Sequence, residues 1–410
     1  MHRDALRSRK GDETMSKKVV LAFSGGLDTS YCAIYLAKEL GLDVHTAIVN
    51  TGGFSEEELV ELDAKAKKLG IENHKTIDVT QEFYEQGIKY LIFGNVLKNN
   101  TYPLSVSAER VFQAMAIAEY AKEVGADYIA HGSTGAGNDQ IRFDYVFNVM
   151  APGIEILTPI RDQQLSRKEE IDYLEANGIH TSWEKAKYSI NKGLWGTSVG
   201  GAETLTSHEG LPDEAWPTPV TETEAKTIDL GFENGELVAI NGESLTMVEA
   251  IQKLTDLAAP YGIGRDVHVG DTIIGIKGRV GFEASAPLII IKAHHLLEKH
   301  TLGKWQQHWK QQLGDWYGML MHEGQYLDPV MRNIETFLSD TQSAVTGTVH
   351  VKLAPYRFEL IGCESDNDLM TSKFGQYGEM NSGWSGEDVK GFTKILANQT
   401  KIFNSVHEND

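Results

Sequence analysis

The chain has 410 residues, with 58 acidic against 38 basic side chains and a formal net charge of −20. Its 41% hydrophobic and 23% charged residues suit about two to three globular domains rather than a disordered chain. Apolar runs as short as Leu288–Ile291 exclude a membrane-spanning helix, and the acidic balance disfavours nucleic acid as a partner, because such binding relies on Lys and Arg at phosphates.

The two cysteines, Cys32 and Cys363, are too few for a disulfide framework or a Cys-rich zinc site and point to reduced thiols in the cytoplasm. Residues 1–14 carry no apolar signal segment and read as a disordered N-terminal extension, ahead of Met15 and the basic run Ser16–Lys18.

Val19–Phe23 reads as a buried strand and Tyr31–Leu40 as a helix stopped by Gly41. Val44–Val49 is a second strand. Ser55 caps a helix to Leu69, with Glu56, Glu57 and Glu58 at its positive end. Lys75–Val79 is a third strand, and Thr80 caps a further helix. Ala108–Val124 is helical, Tyr128–Ala130 and Ile154–Ile160 are strands, and Ser166 opens a helix with Glu169 placed for a capping box. The alternation predicts an α/β fold with a mainly parallel sheet over residues 15–180.

From Thr181 to Gly242 the chain is loop-rich, with Asn234-Gly235 marking a hairpin. Thr246 and Glu249 form a capping box. Asp271–Ile276 and Leu288–Ile291 read as strands, and Val345–His350 with Arg357–Gly362 as a late hairpin. Residues 181–372 are therefore expected to form an α+β domain. Residues 373–410 form a C-terminal arm, helical from Glu387 to Phe403, whose apolar face needs a surface to pack on. His294, His295, His300 and His308 lack the His-Glu-x-x-His spacing of a zinc site and read as core or helix-surface residues. Trp305, Trp309 and Trp316 read as core or interface packing.

Two segments carry chemistry. Ala22-Phe23-Ser24-Gly25-Gly26-Leu27-Asp28-Thr29-Ser30 follows the first strand and opens the first helix. Its glycine turn exposes backbone N–H groups at a helix N-terminus, and three hydroxyls add to this anion site. It is neither a Walker A loop nor Gly-x-Gly-x-x-Gly, so a phosphate here is held by dipoles, hydroxyls and a metal. The second segment, His131-Gly-Ser-Thr-Gly-Ala-Gly-Asn-Asp-Gln-Ile-Arg-Phe143, also follows a strand and is expected to face the first loop. Thr134, Asn138 and Asp139 suit a zwitterionic amino acid, and Arg142 adds a fixed cation for a carboxylate.

The Ser-Gly-Gly-Leu-Asp-Thr-Ser loop resembles the pyrophosphate loop of the ATP pyrophosphatases. The second segment resembles the His-Gly-x-Thr-Gly-x-Gly-Asn-Asp-Gln-x-Arg-Phe signature of the argininosuccinate synthase family, and the likeness runs from Lys17 to the C-terminal arm. It implies a C–N-bond-forming ligase of arginine biosynthesis that condenses L-citrulline with L-aspartate at the expense of ATP, through a citrullyl-adenylate. It implies ATP on Ala22–Ser30, with Gly132 touching the nucleotide and an adenine contact at Val49. Aspartate is implied on Thr134, Asn138 and Asp139. Citrulline is implied on Asn138 and Arg142, together with Tyr102, Ser107, Ser189 and Ser198 from Tyr102-Pro-Leu-Ser-Val-Ser107 and Tyr188–Ser198. Arg110 aligns with a nearby arginine of the family. Asp28, Asp139 and Arg142 are the catalytic candidates, Asp28 is the candidate ligand for Mg2+, and a homotetramer is implied.

Three departures stand out. Ala136 replaces a common lysine, Gly270 stands where the family carries glutamate, and Phe282 where it carries a tyrosine that touches citrulline. Asp271 and Glu283 are the nearest residues that could compensate. The rival readings are a nucleotide-binding sensor that has lost turnover and a tRNA-modifying ATP pyrophosphatase. The latter calls for catalytic cysteines and a basic face, against Cys32 within a helix and a charge of −20.

Overall fold

Three consecutive fully buried residues, Val19, Val20 and Leu21, place the first strand inside a sheet covered on both faces. Each such side chain contributes about 1.5–3 kcal/mol by leaving water. In the computed structural model, which describes residues 16–181, 183, 187–379 and 382–407, this strand is β1 (Lys18–Ala22). It is joined by β2 (Asp43–Asn50), β3 (Asn73–Asp78), β4 (Tyr128–Ala130) and β5 (Glu155–Leu157) in a parallel sheet of order β3-β2-β1-β4-β5. The chain first winds outward from β1 and then returns to its other side with β4. That switch point opens a crevice at the strands' carboxyl ends. The 14 leading residues expected to be disordered lie outside the described residues.

Two antiparallel sheets follow. β6 (Ser189–Gly193) and β7 (Gly196–Gly200) are joined by β11 (Arg265–Asp271) and β12 (Lys277–Glu283) in the order β11-β12-β7-β6. β8 (Lys226–Glu233), β9 (Glu236–Ile240), β10 (Glu243–Ser244), β13 (Gly347–Ala354) and β14 (Arg357–Glu364) form the other, in the order β10-β9-β8-β13-β14. Asn234-Gly235 turns the β8–β9 hairpin, and Gly235 has a φ of +81°. Ser55, Ser166 and Thr246 each close a capping box, with Glu58, Glu169 and Glu249.

The helix Ser105–Glu123 links the halves, packing against β1 and β2 and also against β6 and β7. It is entered through Leu104 at φ +63°, a conformation uncommon for a side chain of this size. Trp195, fully buried in the β6–β7 turn, donates its ring N–H to the Pro103 carbonyl at 2.9 Å and ties that turn to the helix entry.

Several sequence expectations are corrected. Leu288–Ile291 is not a strand but part of the helix Ser285–Thr301, where Ile289, Ile290 and Ile291 are all buried. A short, uniformly apolar run carries no periodicity with which to tell strand from buried helix. Asp271–Ile276 is mainly the turn between β11 and β12, closed by the Thr272 N–H donating to the Ile276 carbonyl. Trp305, Trp309 and Trp316 are each more than half exposed on the helix Lys304–His322, which removes the core half of the core-or-interface expectation only. The C-terminal helix is two, Gly386–Leu396 and Asn398–His407. His294 is fully buried between Asn95 and Gln342, beside the Glu298–Lys310 ion pair.

Candidate active site

The turn after β1 is shaped by its smallest residues. Gly25 has a φ of +70°, and a Cβ there would lie 2.5 Å from Leu62 Cδ2. Ser24 Oγ accepts the Gly26 N–H at 3.4 Å and shares a hydrogen with Thr29 Oγ1 at 3.2 Å. The helix Leu27–Lys38 starts at Gly26 with no side-chain cap, so its first N–H groups have no such partner. Asp28 stands in its first turn. Behind it the helix Arg167–Ala176 brings up Glu170, whose carboxyl is pushed up by burial and by the charge of Asp28. Lys65 comes from the helix Glu56–Lys68, its Nζ 5.1 Å from the centre of the Trp183 ring.

The turn after β4 meets the first as expected, because β1 and β4 are neighbours. A Cβ on Gly132 would lie 3.2 Å from Thr29 Cγ2 and 3.4 Å from Asp28. His131 braces the turn. The Ser133 N–H donates to its Nδ1 at 3.2 Å, so its Nε2 carries the hydrogen and donates to Asp144 at 2.9 Å. Arg161 holds the other oxygen of Asp144 at 2.8 Å.

A cavity of about 640 Å³ opens beside these turns. Asp28, Tyr102, Ser107, Gly132, Thr134, Asn138, Asp139, Arg142, Ser189 and Ser198 all line it, so residues far apart in sequence converge. Ala22–Leu27, Thr29, Ser30 and Val49 do not line it. Phe23, Leu27 and Val49 are buried, and Ser30 is fully enclosed with its hydroxyl unpartnered.

Asp139 opens the helix Asp139–Met150 and is gripped from two sides. Arg110 Nε donates to its Oδ2 at 3.1 Å and Arg142 Nη1 to its Oδ1 at 3.0 Å. Desolvation works to raise its carboxyl, but the two guanidiniums prevail and hold it below the usual carboxylate range. Arg142, which lines the cavity, is fixed in place: its Nε and Nη2 both donate to the His322 carbonyl, at 2.9 and 2.8 Å. Arg110 also bonds Glu109, Gln113 and Asn191, and Asn191 in turn reaches Ser198 at 3.5 Å. Burial pushes Glu109 up to about 7. Asn138 Oδ1 accepts the Ile273 N–H at 2.9 Å and so fixes the β11–β12 turn over the cavity.

Of the two residues suggested to compensate for Gly270 and Phe282, Asp271 lines the cavity and Glu283 does not. Glu283 faces away from the cavity, bonded to Thr218 and to Arg265. Asp271, at the rim, pairs with Lys277 at 2.6 Å. Phe282 is fully buried behind Tyr102, ring centres 5.3 Å apart. His268 and His322 line the cavity, and no local motif marks either.

Two glycine turns meeting at the switch point of a parallel sheet, beside a polar cavity that the second half of the chain completes, are the arrangement of a doubly wound nucleotide-binding fold. Residues 18–180 match the family description "Arginosuccinate synthase N-terminal HUP domain", and residues 188–403 match "Arginosuccinate synthase C-terminal domain". The chain belongs to the argininosuccinate synthase family. It is 39% identical to the Argininosuccinate synthase of Methanocaldococcus jannaschii over 369 residues, 89% of this chain and 93% of the relative. The proteins of the same name from Dictyoglomus thermophilum and Pyrococcus furiosus are 37% and 36% identical, covering 94% and 95% of this chain and 97% and 95% of those relatives.

Proposed function

We propose that this chain joins L-citrulline to L-aspartate at the expense of ATP, yielding argininosuccinate, AMP and pyrophosphate for arginine biosynthesis. The observation that carries the reading is the close approach of Gly132 to Thr29 and Asp28, which sets the two glycine turns side by side, with Asp28 and Gly132 both lining one cavity, in a chain of this family. Neither the sensor nor the tRNA-modifying alternative gains support from the relatives.

The ureido oxygen of citrulline attacks the α-phosphorus of ATP, and pyrophosphate leaves with the electrons of the broken P–O bond. The uncapped helix start and the hydroxyls of Ser24 and Thr29 receive that pyrophosphate, with Gly25 and Gly26 allowing close backbone approach. Phe23, Leu27, Ser30 and Val49 contribute backbone and packing, since their side chains are enclosed. The amine of aspartate then attacks the activated carbon. The C–O bond breaks, AMP departs, and the amine's proton is lost. Thr134, Asn138 and Asp139 orient aspartate, while Tyr102, Ser107, Asn138, Arg142, Ser189 and Ser198 enclose citrulline. Arg142 and Arg110 act through Asp139, holding it charged and still. Positioning and charge stabilisation carry most of such a reaction.

Asp28 fits Mg2+, an ion held by one or two carboxylates together with substrate phosphates, and no cluster of three or more His, Cys, Asp or Glu exists among the described residues to hold one alone. Mg2+ supplies charge neutralisation on the phosphates when bound.

We also assign residues 15–180 to nucleotide binding, 181–372 to the synthetase domain and 373–410 to assembly as a homotetramer. Phe392, Ile395, Leu396, Ile402, Phe403 and Val406 are all more than 60% exposed on the arm, apolar surface that a second copy would cover. A cytoplasmic setting agrees with two free thiols and with no helix, among the described residues, long and apolar enough to cross a membrane. Citrulline labelled with oxygen-18 in its ureido group tests the route: the adenylate path delivers the label to AMP, and unlabelled AMP overturns it.

A further inference from the structure

His268 lies on β11 two residues before Gly270, so both fall on the same face of the strand, and both line the cavity. The imidazole stacks on Tyr102, ring centres 5.1 Å apart and planes 24° apart, with Phe282 supporting Tyr102 from behind. It is 6% exposed, its Nδ1 is fully enclosed without a partner, and its Nε2 edge leans over Gly270. A Cβ on residue 270 would lie 2.6 Å from that Nε2 and 3.0 Å from Cε1. Any side chain at 270 and the present place of the His268 ring therefore exclude each other.

We propose that His268 is a specificity-determining residue of the cavity, its Nε2 edge occupying the room that Gly270 leaves and donating a hydrogen bond to an oxygen of bound citrulline. This inference rests on the function proposed above. The enclosed, unpartnered Nδ1 makes the tautomer with hydrogen on Nε2 the less costly one, because an orphaned donor deep in the wall has no use for its hydrogen. Burial and the charge of Lys98 hold the ring below its usual titration range, so it acts as a neutral donor near pH 7. The Tyr102 stack fixes the ring plane, and Tyr102 Oη is anchored by the Val106 N–H at 3.2 Å.

Steady-state kinetics on the full chain, with each of the three substrates varied in turn, test it. His268→Phe keeps a stacked ring and loses the donor, so its KM for citrulline rises about tenfold, the size of one neutral hydrogen bond. The KM values for ATP and aspartate stay within about twofold, as expected of a contact to one substrate only. His268→Gln, which retains an N–H, recovers most of the loss. Gly270→Ala displaces the ring and gives the same citrulline-specific rise, and Gly270→Ala combined with His268→Phe is no worse than either alone. A His268→Phe enzyme with unchanged KM for citrulline, or with all three KM values raised together, overturns the inference. If the unaltered chain releases no pyrophosphate with citrulline, the function itself fails and this inference with it; normal turnover by an indifferent His268→Phe enzyme sinks the inference alone.

Discussion

Asp139 and Arg110 are joined through Oδ2 and Nε at 3.1 Å, and this one pair ties the second glycine turn to the helix Ser105–Glu123. Through its other nitrogens the same guanidinium reaches Glu109, Gln113 and, on β6, Asn191. One side chain thus bridges the second glycine turn, the helix and β6. Arg110→Met is expected to leave the buried Glu109 without its cation, costing about 3–5 kcal/mol of stability. Arg110→Lys should rescue little, since an ammonium cannot match the guanidinium fork. Denaturant unfolding of the variants measures the loss, and a change below about 1 kcal/mol, the scale of an exposed pair, would contradict it.

Asp139→Ala separates the two chemical steps. Pyrophosphate release with citrulline alone should persist, while argininosuccinate formation falls by about a hundredfold or more, the scale of one lost electrostatic contact at a reacting centre. Loss of ATP binding in this variant would remove Asp139 from the aspartate site.

Gly25→Ala puts a side chain at φ +70° and a Cβ 2.5 Å from Leu62. Strain of about 1–3 kcal/mol is expected, expressed as a tenfold or greater rise in KM for ATP with citrulline affinity spared. Equilibrium nucleotide binding checks this directly.

Two buried histidines should make the fold acid-sensitive, against an opposing gain from Glu109 and Glu170, whose carboxyls burial pushes up into the same pH range. Burial holds the buried His294 down to about 4 and His322 to about 3, against about 6.5 for an unfolded histidine. Below pH 6.5 the unfolded chain takes up protons that the folded chain refuses. The contribution of these two histidines is therefore full above that pH and falls as pH drops towards 4, by up to about 1.4 kcal/mol per unit for each. The depressed Asp139 adds its loss only below about pH 4, where unfolded carboxyls begin to protonate. His322→Gln should lose less stability than the parent between pH 7 and pH 5 in thermal unfolding, and parallel curves would refute the assignment.

The arm predicts assembly. Ile395→Asp with Phe403→Asp places charge on its exposed apolar face and should shift sedimentation from a tetramer to smaller species.

The parallel half was legible because its signals are local. Ser55, Ser166 and the turns at Gly25 and Gly132 announce caps and phosphate loops within a few residues. The site's second wall was less so. Arg110 was known only as an aligned position, and nothing in its neighbourhood reveals that it holds Asp139, 29 residues away in the chain. Arg142 is legible as a cation, but part of what fixes it, the His322 carbonyl 180 residues on, is a backbone group that no motif can mark. His268 became visible only when β11 placed it over a glycine and beside Tyr102. Likewise Leu288–Ile291 could be settled as a helix only by what packs around it on every side.

The most direct measurement is pyrophosphate release from ATP by the purified chain, first with citrulline alone and then with aspartate added. Pyrophosphate release should depend on citrulline, and argininosuccinate with AMP should form only once aspartate is present. Nucleotide binding without either product, or pyrophosphate release indifferent to citrulline, would contradict the proposed function.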